Sequence, residues 1–394
     1  ADVSVIATGK AYQLAWNLIG LAKLHRATGN ADYLRAVEHA WTSIREDHLT
    51  LGGGPWGGVG HRSREVFNPA GVFSPYGYVE TCSTFAWIQL NRELHGITGD
   101  ARYAEEIERS AYNDLLGAQA PDGENWCYYV FPNGRRVHTT YWRCCKSSGA
   151  MALEELPSIA YTAHGAAILA VNLYGPGEAS FALAGAGRVR LVQETLYPYP
   201  DSIRVRVSVE AQADFAIRLR IPSWVEGGTI TINGEAIQSA MVPGQYVDLA
   251  RFWRDGDEIV ARFPMSPVMH KRVNNNTQES FAPDGSEVRQ QVLHFEYAAI
   301  TCGPLVYATE LIDGFKVEET LRLPPELGSA SLGWLPESAD GVPRIFLDPG
   351  YRAPLVFAPY FCAGGREDGV WRLTWMQLAP DPAFDANAAP ARSR

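Results

Sequence analysis

Long hydrophobic runs are missing from this 394-residue chain. No stretch is long and apolar enough to span a bilayer as a helix. Positive charge is scarce as well. Lys and Arg number 34 against 44 Asp and Glu, for a net charge of −10, and no basic stripe runs through the sequence. That balance argues against nucleic acid or an anionic membrane as a partner. Cysteine is rare too: six residues are too few for a disulfide scaffold. The opening Ala1-Asp2-Val3-Ser4 lacks the basic region of a secretory leader and has no initiator Met. This reads as a processed N-terminus or a fragment.

Three of the six cysteines are clustered in sequence. Cys144 and Cys145 are adjacent, and Cys82 ends the triplet Glu80-Thr81-Cys82. Adjacent cysteines make a poor disulfide because the ring they close is strained. Three thiols and a carboxylate can instead make one tetrahedral zinc site. Ligands at i and i+2 share a face only in an extended segment. The triplet is therefore expected just ahead of a helix at Thr84, and the cysteine pair likewise just ahead of its own helix. Spacing alone leaves separate buried thiols and a vicinal disulfide open. Cys127, Cys302 and Cys362 sit in apolar or aromatic surroundings and read as buried small hydrophobes. Reduced thiols on a metal favour the cytoplasm, although bound zinc protects thiolates elsewhere.

Helical periodicity dominates residues 1 to about 163. It runs over Tyr12–Ala27, Asp32–Ile44, Thr84–His95, Tyr103–Leu116 and Gly149–Tyr161. The segment TGN-ADYLRAVEHA returns as TGD-ARYAEEIERS, which suggests stacked helical hairpins of a toroid. A closed toroid uses about twice as many helices, so the chain is expected to carry the second half of such a domain. From about residue 166 the pattern alternates with period two, in Ser202–Val209 and Phe215–Ile221 for example, as in a β-sandwich. Asn274-Asn275-Asn276 reads as a second break. The expected units are 1–163, 164–273, a β-rich 274–380 and a disordered tail, 381–394. The Gly-rich run from Leu51 to Gly60 brings backbone close to something. No Gly-Lys-Ser/Thr follows it, so it is not a phosphate loop.

Taken in order, several segments resemble the zinc-thiolate β-L-arabinofuranosidases of glycoside hydrolase family 127. They are GGVG followed by Glu65 and Phe67, YVETC ending at Cys82, LNRELHGITGDARYAEEIERSAYNDLL, DGENWCYYVFP, and Cys144-Cys145. LYGPG, LRIPSW, TINGE, FWRDGDEI and ITCGPLVYATE extend the resemblance through the β-region. It implies a mixed α and β, multidomain fold: a partial (α/α)6 barrel followed by β-sandwich domains. It implies a retaining double displacement on a glycan, with release of L-arabinofuranose. Carried over, Glu80, Cys82, Cys144 and Cys145 bind Zn2+, Cys144 is the nucleophile, Glu65 is the acid/base and Tyr129 touches substrate. His61, on the Glu65 loop, and Tyr78 complete the candidate substrate contacts. As the acid, Glu65 needs a raised pKa.

Trp56, Tyr78, Trp126, Tyr128 and Trp142 are candidates to pack on a sugar face, though such residues more often serve the core. Against the family pattern, Lys10 replaces a histidine, Ser148 and Met151 replace Asn and Arg, and Phe131 replaces an Asn. Two other readings stay open. One is a non-catalytic carbohydrate-binding protein with structural zinc. The other is a related barrel enzyme for acidic pectic sugars, using Arg62, Arg64, Arg135 or Arg136. A homo-oligomer is compatible with the sequence.

Overall fold

The computed structural model describes residues 2–6, 9–58, 65–141, 143–199, 202–311, 320–321, 332–335 and 340–379. His61, Arg62, Arg64, Trp142 and the 381–394 tail lie outside them. The fold is mixed α and β, with many strands and few helices. No helix among the described residues is long and apolar enough to cross a membrane.

Five main helices form the N-terminal unit: α1 (Ala11–Thr28), α2 (Ala31–Asp47), α3 (Thr81–Thr98), α4 (Ala101–Ser110) and α5 (Arg143–Ala160). The repeated TGN and TGD segments are helix punctuation. Gly29 and Gly99 end α1 and α3 in the left-handed region, at φ 72° and 67°, which glycine adopts without a Cβ clash. Asn30 and Asp100 then cap α2 and α4, their side chains accepting from the backbone N–H of Asp32 and Arg102. The hairpins close on a shared core in which Trp41 stacks on Trp87 and meets Tyr103 edge-on. The indole N–H of Trp41 donates to Asn91.

Short strands lie between these helices: β1 (Trp56–Gly58), β2 (Tyr78–Glu80), β3 (Trp126–Cys127), β4 (Tyr129–Val130), β5 (Asn133–Arg135) and β6 (His138–Thr139). Strand β2 pairs with both β1 and β4, and β3 pairs with β6. The Gly-rich run before β1 lies on the carboxylate of Asp114. That carboxylate accepts from the Thr50 hydroxyl and the Gly54 N–H. A Cβ at Gly52 or Gly54 would meet its oxygens at 2.5 and 2.7 Å. The approach that the glycines permit is thus to the protein's own buried acid.

From Tyr161 to Arg262 a four-stranded and a six-stranded sheet enclose one apolar core, including Leu191, Val205, Ile217, Trp253 and Phe263. A third sheet follows, dominated by the paired strands Pro267–Phe281 and Glu287–Cys302. The break expected at Asn274 is therefore overturned. Asn274 and Asn275 pair with Phe295 and His294 in mid-strand, where ladder pairing outweighs their turn preference.

The third region also reaches back to the helical unit. Its strand Trp371–Leu373 pairs with β5. The Asn133 side chain bonds the backbone of Thr374 and Trp375. Arg136, 1% exposed, donates to the carbonyls of Gly365, Tyr360 and Phe361.

Candidate active site

Two helix starts converge. Glu80 ends β2 and is the N-cap residue of α3, and Cys82 is already in the first turn of that helix. The extended triplet expected from spacing is thus corrected: the strand-to-helix junction turns both donor atoms to one side. Cys144 and Cys145 lie inside the first turn of α5, not ahead of it. Adjacent helical residues point about 100° apart, which leaves Cys144 exposed and Cys145 buried.

The four donor atoms lie within 4.8 Å of one another. Cys82 Sγ is 3.4 Å from Cys145 Sγ, Cys144 Sγ is 4.0 Å from Cys145 Sγ, and Cys145 Sγ is 3.9 Å from Glu80 Oε1. Ligands about 2.3 Å from one tetrahedral centre stand roughly 3.8 Å apart, so the set fits a metal ion. Glu80 Oε2 is buried without a hydrogen-bond partner among the described residues, as expected of a donor reserved for a cation. Ser148, one turn along α5, donates to Cys82 Sγ at 3.3 Å.

The electrostatics also call for a cation. Burial, then the neighbouring Cys82 charge, pushes Glu80 up to about 8. Cys82 is brought down to about 6, chiefly by its hydrogen bond with Cys145. Cys145 is raised by the same bond and by burial, and Cys144 by burial and the Cys82 charge. One charge fits in this pocket; four do not without a compensating ion. The N-termini of α3 and α5 add partial positive charge.

Glu65 stands at the next position outward. Its φ is 64°, uncommon for a residue with a side chain and characteristic of functional sites. The Tyr78 hydroxyl accepts its backbone N–H at 3.1 Å. Its carboxylate accepts from Tyr129 at 2.5 Å and Tyr128 at 3.1 Å, and pairs with the Lys10 ammonium. Tyr128 also lies close enough to Cys144 for the two groups to influence each other's ionisation. Tyr128 therefore hydrogen-bonds the carboxyl while sitting in the electrostatic surroundings of the exposed thiol. A cavity of about 760 Å³ opens beside Glu65.

Comparison with known proteins follows the same division of the chain. The catalytic-domain profile described as β-L-arabinofuranosidase, GH127 matches residues 6–158, and the GH127 middle-domain profile matches 168–265. This chain belongs to glycoside hydrolase family 127. A search of curated proteins finds no match. Among solved structures, the GH127 β-L-arabinofuranosidase of Geobacillus stearothermophilus T6 is 22% identical, with a TM-score of 0.74 over 94% of this chain. A second GH127 β-arabinofuranosidase is 24% identical, with a TM-score of 0.75 over 94%. At these identities the likeness is one of fold. The chain spans 61% and 60% of the length of those two structures.

The GH127 catalytic profile takes in all the residues of the cluster and Glu65. The structure brings together Glu80, Cys82, Cys144 and Cys145, and separately Glu65, Tyr78 and Tyr129. His61 lies outside the described residues. The raised pKa expected of Glu65 is not found in this state. Burial pushes it upward, but Lys10 and then Tyr129 and Tyr128 hold it below the usual value. Trp56 and Trp126 are core residues, 2% and 1% exposed. Arg135 bonds the Gly369 carbonyl, and Arg136 is buried among carbonyls. Neither is placed to read an acidic sugar. Lys10 stood out in the sequence only as a departure from the family, and its pairing with Glu65 was not legible there.

Proposed function

We propose that this chain carries the catalytic centre of a retaining glycoside hydrolase that releases L-arabinofuranose from plant cell-wall glycans. The observation that carries the reading is the exposed Cys144, held in the Glu80–Cys82–Cys145 cluster, with its electrostatic neighbour Tyr128 hydrogen-bonded to Glu65. Helices α1–α5 are read as part of an (α/α)6 barrel, the two sheets after it as a β-sandwich, and the region from about residue 267 as a further β-rich unit.

Glu80, Cys82, Cys144 and Cys145 would hold a zinc ion, whose charge keeps the thiols ionised at neutral pH. Cys144 attacks the anomeric carbon. A C–S bond forms as the C–O bond to the leaving group breaks, and Glu65 gives its proton to the departing oxygen. Glu65 then takes a proton from water, which displaces the thiolate and retains the configuration. Cys144 replaces the second carboxylate of ordinary retaining enzymes. Before sugar arrives, Glu65 is ionised against Lys10. A sugar that dries the carboxyl and loosens the pair moves Glu65 toward its acid form. Tyr129 and Tyr78 hold Glu65, and Tyr129 lines the cavity beside it.

A four-donor set is also the usual composition of structural metal sites, so a glycan-binding protein without turnover is the second reading. Cys144→Ser separates the two. Loss of β-L-arabinofuranoside hydrolysis with retained metal supports catalysis. Full activity in the variant overturns the mechanism, and glycan binding by a wild type without turnover favours the second reading.

A further inference from the structure

The cavity beside Glu65 has a wall that the reaction leaves unexplained. Glu65, Tyr128 and Tyr129 form its inner end, and none of the cysteines lines it. In the proposed reaction the attacked sugar lies between Cys144 and Glu65, which puts the departing group on the far side of Glu65, where this cavity opens. The outer wall comes from the chain between β5 and α5: Val137, His138 and Tyr141. Val137 and Tyr141 are 57% and 79% exposed, a large apolar surface at the rim that the core does not account for.

His138 is built differently. Its side chain is 6% exposed, and Nδ1 lies 2.8 Å from Asp368 Oδ1. The same oxygen accepts the His138 backbone N–H at 2.7 Å. Asp368 thus fixes both the ring and the strand. Burial lowers the His138 pKa, which favours neutral imidazole with its proton on Nδ1 toward Asp368. Nε2 is then a lone-pair acceptor. It is buried and has no hydrogen-bond partner among the described residues. A buried acceptor without a partner is costly, and a hydroxyl lodged against this wall satisfies it.

We propose that this cavity is the subsite for the leaving-group sugar, with Tyr141 as its stacking platform, His138 Nε2 as a hydroxyl acceptor and Asp368 as the positioning residue. Glu65 and Asp368 are the acids here, and among the described residues Lys10 is neutralised by Glu65 while Arg135 and Arg136 are engaged with carbonyls, so the subsite takes a neutral sugar and disfavours a uronic acid. The inference rests on the proposed hydrolase reading and deepens it.

The test compares two substrates. Methyl β-L-arabinofuranoside leaves the subsite empty, whereas a β-L-arabinofuranosyl-L-arabinofuranose disaccharide fills it. Tyr141→Ala, at a position 79% exposed, is expected to lower kcat/KM about tenfold on the disaccharide and little on the methyl glycoside. His138→Ala is expected to do the same. Equal losses on both substrates, or none, overturn the proposal.

Calorimetry provides an independent readout. In Cys144→Ser protein, adding Tyr141→Ala should weaken disaccharide binding about tenfold, and unchanged binding overturns the subsite. If wild type hydrolyses neither substrate, the hydrolase reading fails while this titration still decides the subsite. Nitrogen-15 NMR of the His138 ring should report the Nδ1–H tautomer in wild type and lose that preference in Asp368→Ala. An unchanged ring removes Asp368 from the positioning role. Equal affinity for a disaccharide ending in galacturonic acid overturns the neutral assignment.

Discussion

Gly149→Ala tests the metal centre with one methyl group that touches none of its ligands. Gly149 lies on α5, one turn beyond Cys145. A Cβ there would meet the Trp126 ring at 2.3, 2.4 and 2.8 Å, whereas ordinary contact begins near 3.4 Å. Something must yield by about 1 Å to reach normal contact. Trp126 is 1% exposed and sits in the core with Phe85, Ile88 and Ala152, so the ring cannot retreat. The relief is for α5 to shift outward, carrying Cys144 and Cys145 with it. Metal–ligand distances tolerate about 0.2 Å, so a shift of this size separates two donors from Glu80 and Cys82. The expected result is a metal affinity at least about tenfold weaker, with a stability loss of about 1–3 kcal/mol from overpacking. Competition against a chromophoric chelator reads the first, and thermal melting of metal-free protein the second. Gly96→Ala is the control. It lies on α3 with Cys82, has nothing within 4 Å of its Cβ, and should stabilise by about 0.5–1 kcal/mol without changing metal uptake. Unaltered metal affinity in Gly149→Ala, or an equal loss in Gly96→Ala, would refute the reasoning.

Lys10→Met removes the ammonium that holds Glu65 down, so the carboxyl titrates higher. With the protonated form needed in the first step, the basic limb of the pH profile of kcat/KM moves to higher pH; an unmoved limb counts against Glu65 as the acid. In wild type, a lowered native pKa means that the pair stabilises the fold above the unfolded pKa of Glu65. That contribution is lost as pH falls through the native value. Metal uptake should release more than one proton at pH 7, because Glu80 titrates near 8 and Cys144 and Cys145 are also raised. Affinity should therefore fall as pH drops through 8 and again near 6, where Cys82 takes its proton. Calorimetry in buffers of different ionisation enthalpy counts the protons, and no release would contradict the set of ligands.

Local chemistry was legible in the sequence; long-range pairing was not. The turns at TGN and TGD between paired helices are readable because their chemistry acts within a few residues. The Glu80, Cys82, Cys144 and Cys145 set is readable because thiolate and carboxylate chemistry restricts what such residues do together. The Asn274 break misled because turn preference is weak against a long paired strand. The partner of the Gly-rich loop, Asp114, looked like any helical acid until the fold buried it. The Asp368 contact to His138 crosses 230 positions, and no local pattern carries such information.

That separation also has a consequence in time. At about 5–20 residues per second, a ribosome adds Asp368 roughly 10–50 s after His138. Throughout that interval β5 has no partner and Arg136 lacks the carbonyls that will surround it. The nascent chain can assemble its four cluster residues while β5, next to the cleft wall, is still an open strand edge. The period in which this molecule is most exposed to misassociation is therefore set by the order of its genetic message.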